Sequence, residues 1–324
     1  MGQIPGLAVK TGQCRKTGYF LQMNLRIAVA SVLHRKPAPT LFFAAVIGMM
    51  TVLASGCACP GKSRPVNLKV MTYNIRIGAG GGPWPGDPSQ MNLEPPAGVI
   101  EAHCPDIAGL QEVDQHRQRS GLMNQPAMLA DRLKMNVAFA EAYTVRTSSP
   151  HDEKYGVACL SRFPIGPHTR FPLFKPDYSK SHPEYPDYFS EQRVLLHVPV
   201  QVGKRQVHVF VTHLGLTPDQ REQQVRQIAE ITSRYTGPKL LMGDFNAQPD
   251  EPVMKLLQTS FGDVLTVTGA TAEERKSYPG GLQPETAIDY IFVSPEFRVR
   301  SARVMRDATL ASDHNPVIAE LELR

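Results

Sequence analysis

The chain has 324 residues, 42% hydrophobic and 20% charged, so it can bury a sizeable core and is not disordered, collagenous or coiled-coil in composition. Its formal net charge of +5 comes from residues 1–56, which hold six basic side chains and no acidic one. Residues 57–324 retain 29 Lys and Arg against 30 Asp and Glu, and this near-neutral balance argues against a broadly basic nucleic-acid-binding surface.

The N-terminal region has the organisation of an export signal. Arg35 and Lys36 precede fourteen mainly apolar residues, 41–54, a run shorter than the roughly 20 residues that span a bilayer. Small residues follow, and "LASGC" resembles a bacterial lipobox with Cys57 as the lipidated first residue of the mature protein. An uncleaved N-terminal anchor and plain secretion are the alternatives.

The same signature bears on location and domain organisation. Ala58 is not Asp, which in Gram-negative lipoproteins fits sorting to the outer membrane, so we expect a monomeric cell-envelope protein facing the periplasm, or a secreted one. With no CxxC pair present, we expect Cys104 and Cys159 to be small buried side chains. The expected divisions are a leader at 1–56, a tether at 57–66 and one domain at 67–324.

From about residue 67 the chain alternates strand-like segments with turns. Apolar and polar residues alternate most clearly at Val207, Val209 and Val211, which predicts a sheet with one face covered. The predicted strands are 68–74, 107–113, 157–161, 193–200, 206–213, 239–245, 288–294, 297–305 and 316–323.

A few helices are predicted between these strands. The clearest has Thr217 as N-cap, Pro218 at the first helical position and Gln220 to complete a capping box. So many strands with so few helices favour two packed sheets with helices outside. The predicted helices are 98–104, 124–135 and 217–235.

Polar residues able to bind a metal or a phosphate stand at one end of strand after strand. Because positions i and i+2 of an extended chain point the same way, Asp244 and Asn246 are expected to project together. One such residue alone is most simply a turn residue that bonds its own backbone. A set of matching type indicates a site, and its members are Asn74, Glu112, His213, Asp244, Asn246, Asp289, Asp313 and His314.

The order of these residues resembles the endonuclease/exonuclease/phosphatase superfamily, the fold of pancreatic deoxyribonuclease. "TYNIR", "DIAGLQEVD", "VTHLG", "GDFNA", "AIDYIFV" and "SDHNPV" look like its successive signatures, from about residue 68 to the C-terminus. The resemblance implies an α+β fold, a four-layer sandwich of two β-sheets flanked by helices. It also implies a Mg²⁺-dependent phosphoesterase, with Mn²⁺ as the alternative cation, that hydrolyses a phosphodiester or phosphomonoester by metal-assisted attack of water.

The resemblance implies that Glu112 is the main metal ligand, with Asn74 and Asp313 close to the ion or the phosphate. The chemistry agrees, because phosphoryl transfer needs positioning and charge neutralisation more than covalent work. Mg²⁺ prefers oxygen ligands and is usually held by one or two carboxylates together with the substrate phosphate.

The resemblance also assigns the catalytic groups. Asp244 would orient or deprotonate the attacking water, and Asn246 would hold that water and a phosphate oxygen. His314, paired with Asp289, would contact the scissile phosphate, and His213 would sit on its other flank. A histidine supported by a carboxylate suits a hydrogen-bond donor to developing negative charge.

Two positions depart from the family pattern. Arg76 stands where some family nucleases have an acidic residue, so its basic side chain is expected to touch the substrate instead. The carboxylate that partners the equivalent of His213 in some relatives is not secure. Glu153 is the nearest candidate, and an ordinary exposed acid is the alternative.

The substrate class is left open by the sequence. The motifs look closest to compact bacterial hydrolases akin to the sphingomyelinase and glycolipid-anchor-remodelling branches. The expected partner is a phosphate-ester substrate, with lipid head groups, nucleotides and nucleic acid as the open classes and a lipid or membrane surface as a further candidate partner. Residues 163–192, with seven aromatics and six prolines, either pack on themselves or form a rim that contacts substrate or lipid. A nuclease acting on DNA or RNA and a catalytically inactive binding protein of the same fold are the alternatives. A nuclease could draw its phosphate contacts from a local patch of Arg117, Arg119, Arg146 and Arg162.

Overall fold

Two mixed sheets of six strands each form the centre of the protein. The structure is a computed structural model and describes residues 65–148, 150–182, 184, 187–306 and 310–324. The strands are β1 (Val66–Asn74), β2 (Ile107–Gln115), β3 (Asn136–Val145), β4 (Glu153–Ser161), β5 (Thr169–Pro172), β6 (Val194–Val202), β7 (Arg205–His213), β8 (Lys239–Asp244), β9 (Gly262–Asp263), β10 (Asp289–Val293), β11 (Phe297–Val304) and β12 (Val317–Leu323).

The strand order places one parallel pair near the middle of each sheet. The first sheet runs β11-β12-β1-β2-β4-β3 and the second β5-β6-β7-β8-β10-β9. β1 pairs with β2 in parallel, and so does β7 with β8, whereas the other named pairs are antiparallel. The two parallel pairs face each other across the sandwich. Their carboxyl ends lie at one edge, where most of the predicted polar residues stand.

Helices cover the outer face of each sheet. α1 (Glu94–His103) and α2 (Gln125–Leu133) pack on the first sheet. α3 (Pro218–Ser233) and α4 (Pro252–Gln258) pack on the second, and the short α5 (Val264–Val267) follows β9. These layers confirm the predicted four-layer α+β sandwich.

The central strands are buried on both faces rather than on the one face that the sequence predicts. Val209 and Val211 of β7 lie in the core between the sheets, whereas Phe210 packs under the outer helices. β8 repeats this arrangement, with Leu240 inside and Leu241 outside. Each buried side chain of this size contributes about 1.5–3 kcal/mol, so the site at the strand ends rests on a stiff support.

Every predicted strand and helix has a counterpart in the structure, but several short elements were not predicted. β3 buries Ala138, Ala140 and Ala142, whose small side chains give a weak strand signal. β5 and β9 are short edge strands, and α4 and α5 are too short for a clear helical period.

The predicted capping box is wrong in its side-chain contact. Thr217 is the N-cap of α3 but makes no capping hydrogen bond. Its hydroxyl instead lies 2.5 Å from the hydroxyl of Tyr178, which also donates to Asp219. This contact joins the aromatic connector to α3, and the backbone N–H of Phe174 reinforces it by donating to Gln227. The described part of the connector therefore packs on the domain.

The predicted leader, the lipobox with Cys57 and most of the tether lie outside the described residues. Among the described residues, no helix is long and apolar enough to cross a membrane. Cys159 is buried and free, as predicted. The prediction for Cys104 is wrong, because this residue is only half-buried.

Candidate active site

Asn74 at the end of β1 joins the two sheets through its side chain. Its Nδ2 donates to Glu112 Oε1 at 3.0 Å and to Asp244 Oδ2 at 3.1 Å. The same nitrogen lies 3.4 Å from His314 Nε2, while Oδ1 accepts from the backbone N–H of Arg76 at 3.0 Å. One buried amide thus fixes two carboxylates that come from different sheets.

Glu112 reaches the site because β2 is irregular at this point. The register with β4 shifts between Leu110 and Val113, and Glu112 has a φ of 53°, a conformation that non-glycine residues rarely adopt. Such a residue costs of order 1–3 kcal/mol and is typical of functional sites. Burial raises the pKa of the Glu112 carboxyl, and the nearby Asp313 raises it further. A divalent cation between the two acids would relieve this repulsion, so oxygen ligands of this kind fit Mg²⁺.

The side chain of Arg76 makes an ion pair and hydrogen bonds within the protein. Its Nε lies 3.1 Å from Asp313 Oδ2, and its Nη1 donates to the carbonyl oxygens of Gly80 and Gly82, each at 2.7 Å. The guanidinium also lies 5.6 Å from the ring centroid of Trp84, which is half exposed. The structure therefore places Arg76 against Asp313 at the rim.

Asp244, Asn246 and His213 form the second group of the site. Asp244 Oδ1 accepts from the backbone N–H of Asn246 at 2.9 Å, and Asn246 takes up a φ of 48° in this turn. The Nδ2 of Asn246 lies 3.1 Å from His213 Nε2. Burial raises the pKa of Asp244 to about 7, although His314 lowers it, and Asp289 adds to the rise. A carboxyl with such a pKa is suited to accept a proton near neutral pH.

His314 and Asp289 make the shortest contact between titratable groups at the site. His314 Nδ1 lies 2.8 Å from Asp289 Oδ2, and the hydroxyl of Ser277 donates to the same oxygen at 2.7 Å. Burial alone would lower the pKa of His314, but the carboxylates of Asp289 and Asp244 raise it to about 10. His314 is therefore an imidazolium at neutral pH, and its Nε2–H is free of Asp289 and faces the centre of the site.

A second place for a cation has to be weighed against the one at Glu112. Asp244, Asp289 and His314 offer ligand atoms that all lie within 4.8 Å of one another, a grouping compatible with a metal ion. However, the Nδ1 of His314 and the Oδ2 of Asp289 are already bonded to each other. A cation there would need the Nε2 of His314 as an unprotonated ligand, whereas Asp289 and Asp244 raise the pKa of His314 to about 10 and keep it protonated at neutral pH. The half-buried acids Glu112 and Asp313 fit a cation better.

Several residues that shape the site were not identified from the sequence. Ser277 holds Asp289, and the ring of Tyr278 lies 4.9 Å from that of His314. The hydroxyl of Ser312 donates to the backbone oxygen of Asn74 at 2.6 Å, which ties the last loop to β1. Ser312 directly precedes the "DHN" run, and this position is the sequence feature that could have identified it as a residue of the site.

The partner suggested for His213 is not where the sequence placed it. Glu153 Oε2 lies 3.5 Å from Arg117 Nε instead. The Nδ1 of His213 is buried and has no hydrogen-bond partner among the residues that the structure describes.

Comparison with known proteins agrees with this geometry. The profile of the Endonuclease/Exonuclease/phosphatase family matches residues 71–314. The uncharacterized protein YbhP of Escherichia coli strain K12 is 25% identical over an alignment of 283 residues that covers 82% of this chain and 100% of that protein. The crystal structure of an endonuclease/exonuclease/phosphatase from Beutenbergia cavernae has a TM-score of 0.61 at 24% identity, covering 79% of this chain and 72% of that one. A mannosyl-6-phosphatase of Bacteroides thetaiotaomicron has a TM-score of 0.59 at 21% identity, and the match covers 78% of this chain and 99% of that one.

Proposed function

We propose that this chain, which belongs to the Endonuclease/Exonuclease/phosphatase family, hydrolyses a phosphate ester by metal-assisted attack of water. Members of this family are generally hydrolases of phosphate esters and typically depend on a divalent metal. The proposal rests on the Asn74 amide, which donates hydrogen bonds to both Glu112 and Asp244. It thereby places the carboxylate that would bind the metal next to the carboxylate that would accept a proton. The mannosyl-6-phosphatase of the same fold supports a phosphate ester as the substrate.

In the proposed mechanism Asp244 accepts a proton from the attacking water. Its pKa of about 7 matches this task at neutral pH. Asn246 is held 2.9 Å from Asp244 by its backbone, and its Oδ1 would face the same water and a phosphate oxygen. The two side chains together place the nucleophile, which supplies much of the rate advantage in phosphoryl transfer.

The imidazolium of His314 would donate to the phosphate on the side away from Asp289. A donor fixed in a buried site needs no reorganisation as charge develops, which is why such groups lower the barrier. Mg²⁺, or Mn²⁺ in its place, would be held by Glu112 with Asp313, and when bound it neutralises charge on the phosphoryl oxygens. The side-chain nitrogen of Asn74, not its oxygen, faces the carboxylates. In this structure Asn74 therefore orients Glu112 rather than offering the cation a further oxygen ligand.

An assay of the full chain with Mg²⁺ against sphingomyelin, phosphoinositides, nucleotides and DNA tests the function and sorts the substrates. We expect one class to be hydrolysed and Asp244→Asn to lower its turnover by about 10²–10⁴-fold, the usual share of a general base. Asp250→Asn, an exposed acid a few residues away, should match wild type. Full activity in Asp244→Asn would remove Asp244 from the mechanism.

The internal contacts of Arg117 and Arg119 favour a lipid head group or a nucleotide over duplex DNA as the substrate. Arg117 donates to Tyr143 at 2.7 Å and faces Glu153. Arg119 makes two bonds of 2.9 Å to Asp114. These internal partners neutralise half of the patch on which a nuclease would rely. The assembled carboxylates and histidines argue against an inactive binding protein.

We further propose export to the cell envelope, in a monomeric form, with Cys57 acylated after removal of residues 1–56. The succession of basic, apolar and small residues that ends at Gly56 supports export. Mass spectrometry of membrane-extracted protein should find a lipidated N-terminus at Cys57. Cys57→Ser should release or misprocess the protein, whereas Cys59→Ser should still be acylated. An intact N-terminus at Met1 or Met23 would contradict cleavage.

A further inference from the structure

The hydrogen bonds around Asn246 indicate which nitrogen of His213 carries a proton. The Nδ2 of Asn246 lies 3.0 Å from the backbone oxygen of Leu214 and 3.1 Å from His213 Nε2. A carbonyl oxygen only accepts, so the atom facing it must be the amide nitrogen, and its second hydrogen is left for His213. The Nε2 of His213 therefore accepts and is unprotonated. Asp244 Oδ2 lies 3.5 Å from the same nitrogen, too far to compete well.

The proton of a neutral His213 must then be on Nδ1, which points away from the reacting groups. This nitrogen is buried without a hydrogen-bond partner among the described residues. His213 also lines a cavity of about 10 Å³. Its polar lining residues are Arg193, Tyr155 and His213, and the rest of the lining is small or apolar: Ala142, Gly156, Val157 and Val194. A space of that size holds one water molecule when polar groups surround it.

Arg193 is the charged residue that lines this cavity together with His213. It is 5% exposed, and its buried Nε also has no hydrogen-bond partner within the described part of the chain. Glu191 Oε1 lies 3.0 Å from Arg193 Nη1 and balances its charge. Two buried donors without partners thus belong to residues that line the same cavity, and a water oxygen there can accept from both.

We infer that Arg193 holds one water molecule in this cavity and that this water accepts the Nδ1–H of His213, fixing the ring as the neutral Nδ1–H tautomer. His213 Nε2 then accepts from Asn246 and turns the Asn246 oxygen toward the reacting centre. Arg193 is thereby a positioning residue that acts through His213, in the place where a carboxylate partner was expected. The expected effect of Arg193 on catalysis rests on the proposed function, whereas the inferred tautomer of His213 is independent of that function.

The surrounding charges agree with a neutral ring. Burial lowers the pKa of His213 well below its usual value, and the positive charges of Arg193 and His314 lower it further. Among the described residues, Asp244 is the acid that lies near the ring, with Oδ2 3.5 Å from Nε2, and its charge would favour the protonated form. A carboxylate behind the ring would have favoured an imidazolium, so a guanidinium and a water leave His213 as an acceptor at the pH where His314 is a donor.

The tautomer can be read from the ¹⁵N and ¹H chemical shifts of the imidazole in the full-length, metal-free protein, with the signals assigned by their loss in His213→Asn. We expect a protonated Nδ1 and an unprotonated Nε2 at neutral pH. A protonated Nε2, or an imidazolium, would overturn the inference. A high-resolution crystal structure should also show one water between Arg193 and His213, and a dry cavity would contradict it.

Variants at Arg193 separate positioning from folding. Arg193→Met should populate the other tautomer and lower kcat about tenfold, equivalent to about 1.4 kcal/mol, with KM within about twofold of wild type. Arg193→Lys should keep most of the wild-type tautomer and most of the wild-type kcat. Arg226→Met, on the exposed face of α3, should change neither the tautomer nor kcat. An unchanged tautomer in Arg193→Met would refute the inference. Should Arg193→Met not fold, the wild-type shifts and Arg193→Lys still decide. An inactive protein with the expected shifts would overturn the proposed function alone.

Discussion

Replacing Glu112 by Gln is expected to lower phosphate-ester hydrolysis at least about 100-fold and to weaken Mg²⁺ binding to a similar degree, since each tenfold corresponds to about 1.4 kcal/mol. Gln keeps the shape and the Oε1 acceptor for Asn74 but removes the charge that holds the cation. Burial already raises the pKa of Glu112, which means that the ionised carboxyl is costly in the metal-free fold.

The same argument predicts an unusual stability result. In chelator at neutral pH, Glu112→Gln should unfold at the same temperature as wild type or slightly higher, because the cost of the buried charge is gone. Calorimetric titration with Mg²⁺ and thermal unfolding check the two parts, with Glu222→Gln, an exposed acid of α3, as the control. Unweakened Mg²⁺ binding by the variant would place the cation elsewhere, for which the Asp244, Asp289 and His314 group is the next choice.

Replacing His314 by Ala is expected to lower kcat about 10²–10³-fold, the typical effect of removing one donor to developing charge. Substrate binding should change less, because the donor acts mainly in the transition state. The exposed His168→Ala is the matched control and should keep wild-type kcat. Near-wild-type turnover in His314→Ala would leave the histidine without a catalytic role.

The pH dependence gives this prediction a direction. Activity measured with Mg²⁺ should rise as Asp244 ionises and fall as His314 loses its proton. In the metal-free protein the pKa of Asp244 is about 7 and that of His314 about 10. Asp289→Asn removes the charge that raises the pKa of His314, so the imidazolium is lost at lower pH and the alkaline limb should move down. The variant should therefore lose less activity at low pH than at high pH. An alkaline limb that stays in place would show that the pair is not functional.

The strands that carry the site could be predicted because their signals are local. β7 and β8 are apolar runs that end in polar residues, and the sequence shows both features directly. β3 could not be predicted in the same way, because its buried face consists of alanines that fit a strand only when β4 lies beside it. Long-range packing, rather than propensity, decides such a strand.

The membership of the site was more predictable than its contacts. Motif order identified Glu112, but the irregular backbone with positive φ that turns it inward depends on pairing with β4. The hydroxyl of Thr217 is bonded to Tyr178, 39 positions earlier, rather than to its own helix. Arg193 carried no motif signal, because its role depends on a cavity bounded by strands that are distant in the sequence.

Hydrolysis by protein stripped of metal and then resupplied with it tests the central claim most directly. Bis(4-nitrophenyl) phosphate and 4-nitrophenyl phosphate serve as generic diester and monoester. We predict no turnover in excess chelator, recovery with Mg²⁺ or Mn²⁺ in wild type, and no recovery in Glu112→Gln under the same conditions. Turnover at the full rate in excess chelator, or full recovery in Glu112→Gln, would contradict a cation held by Glu112 as the basis of catalysis.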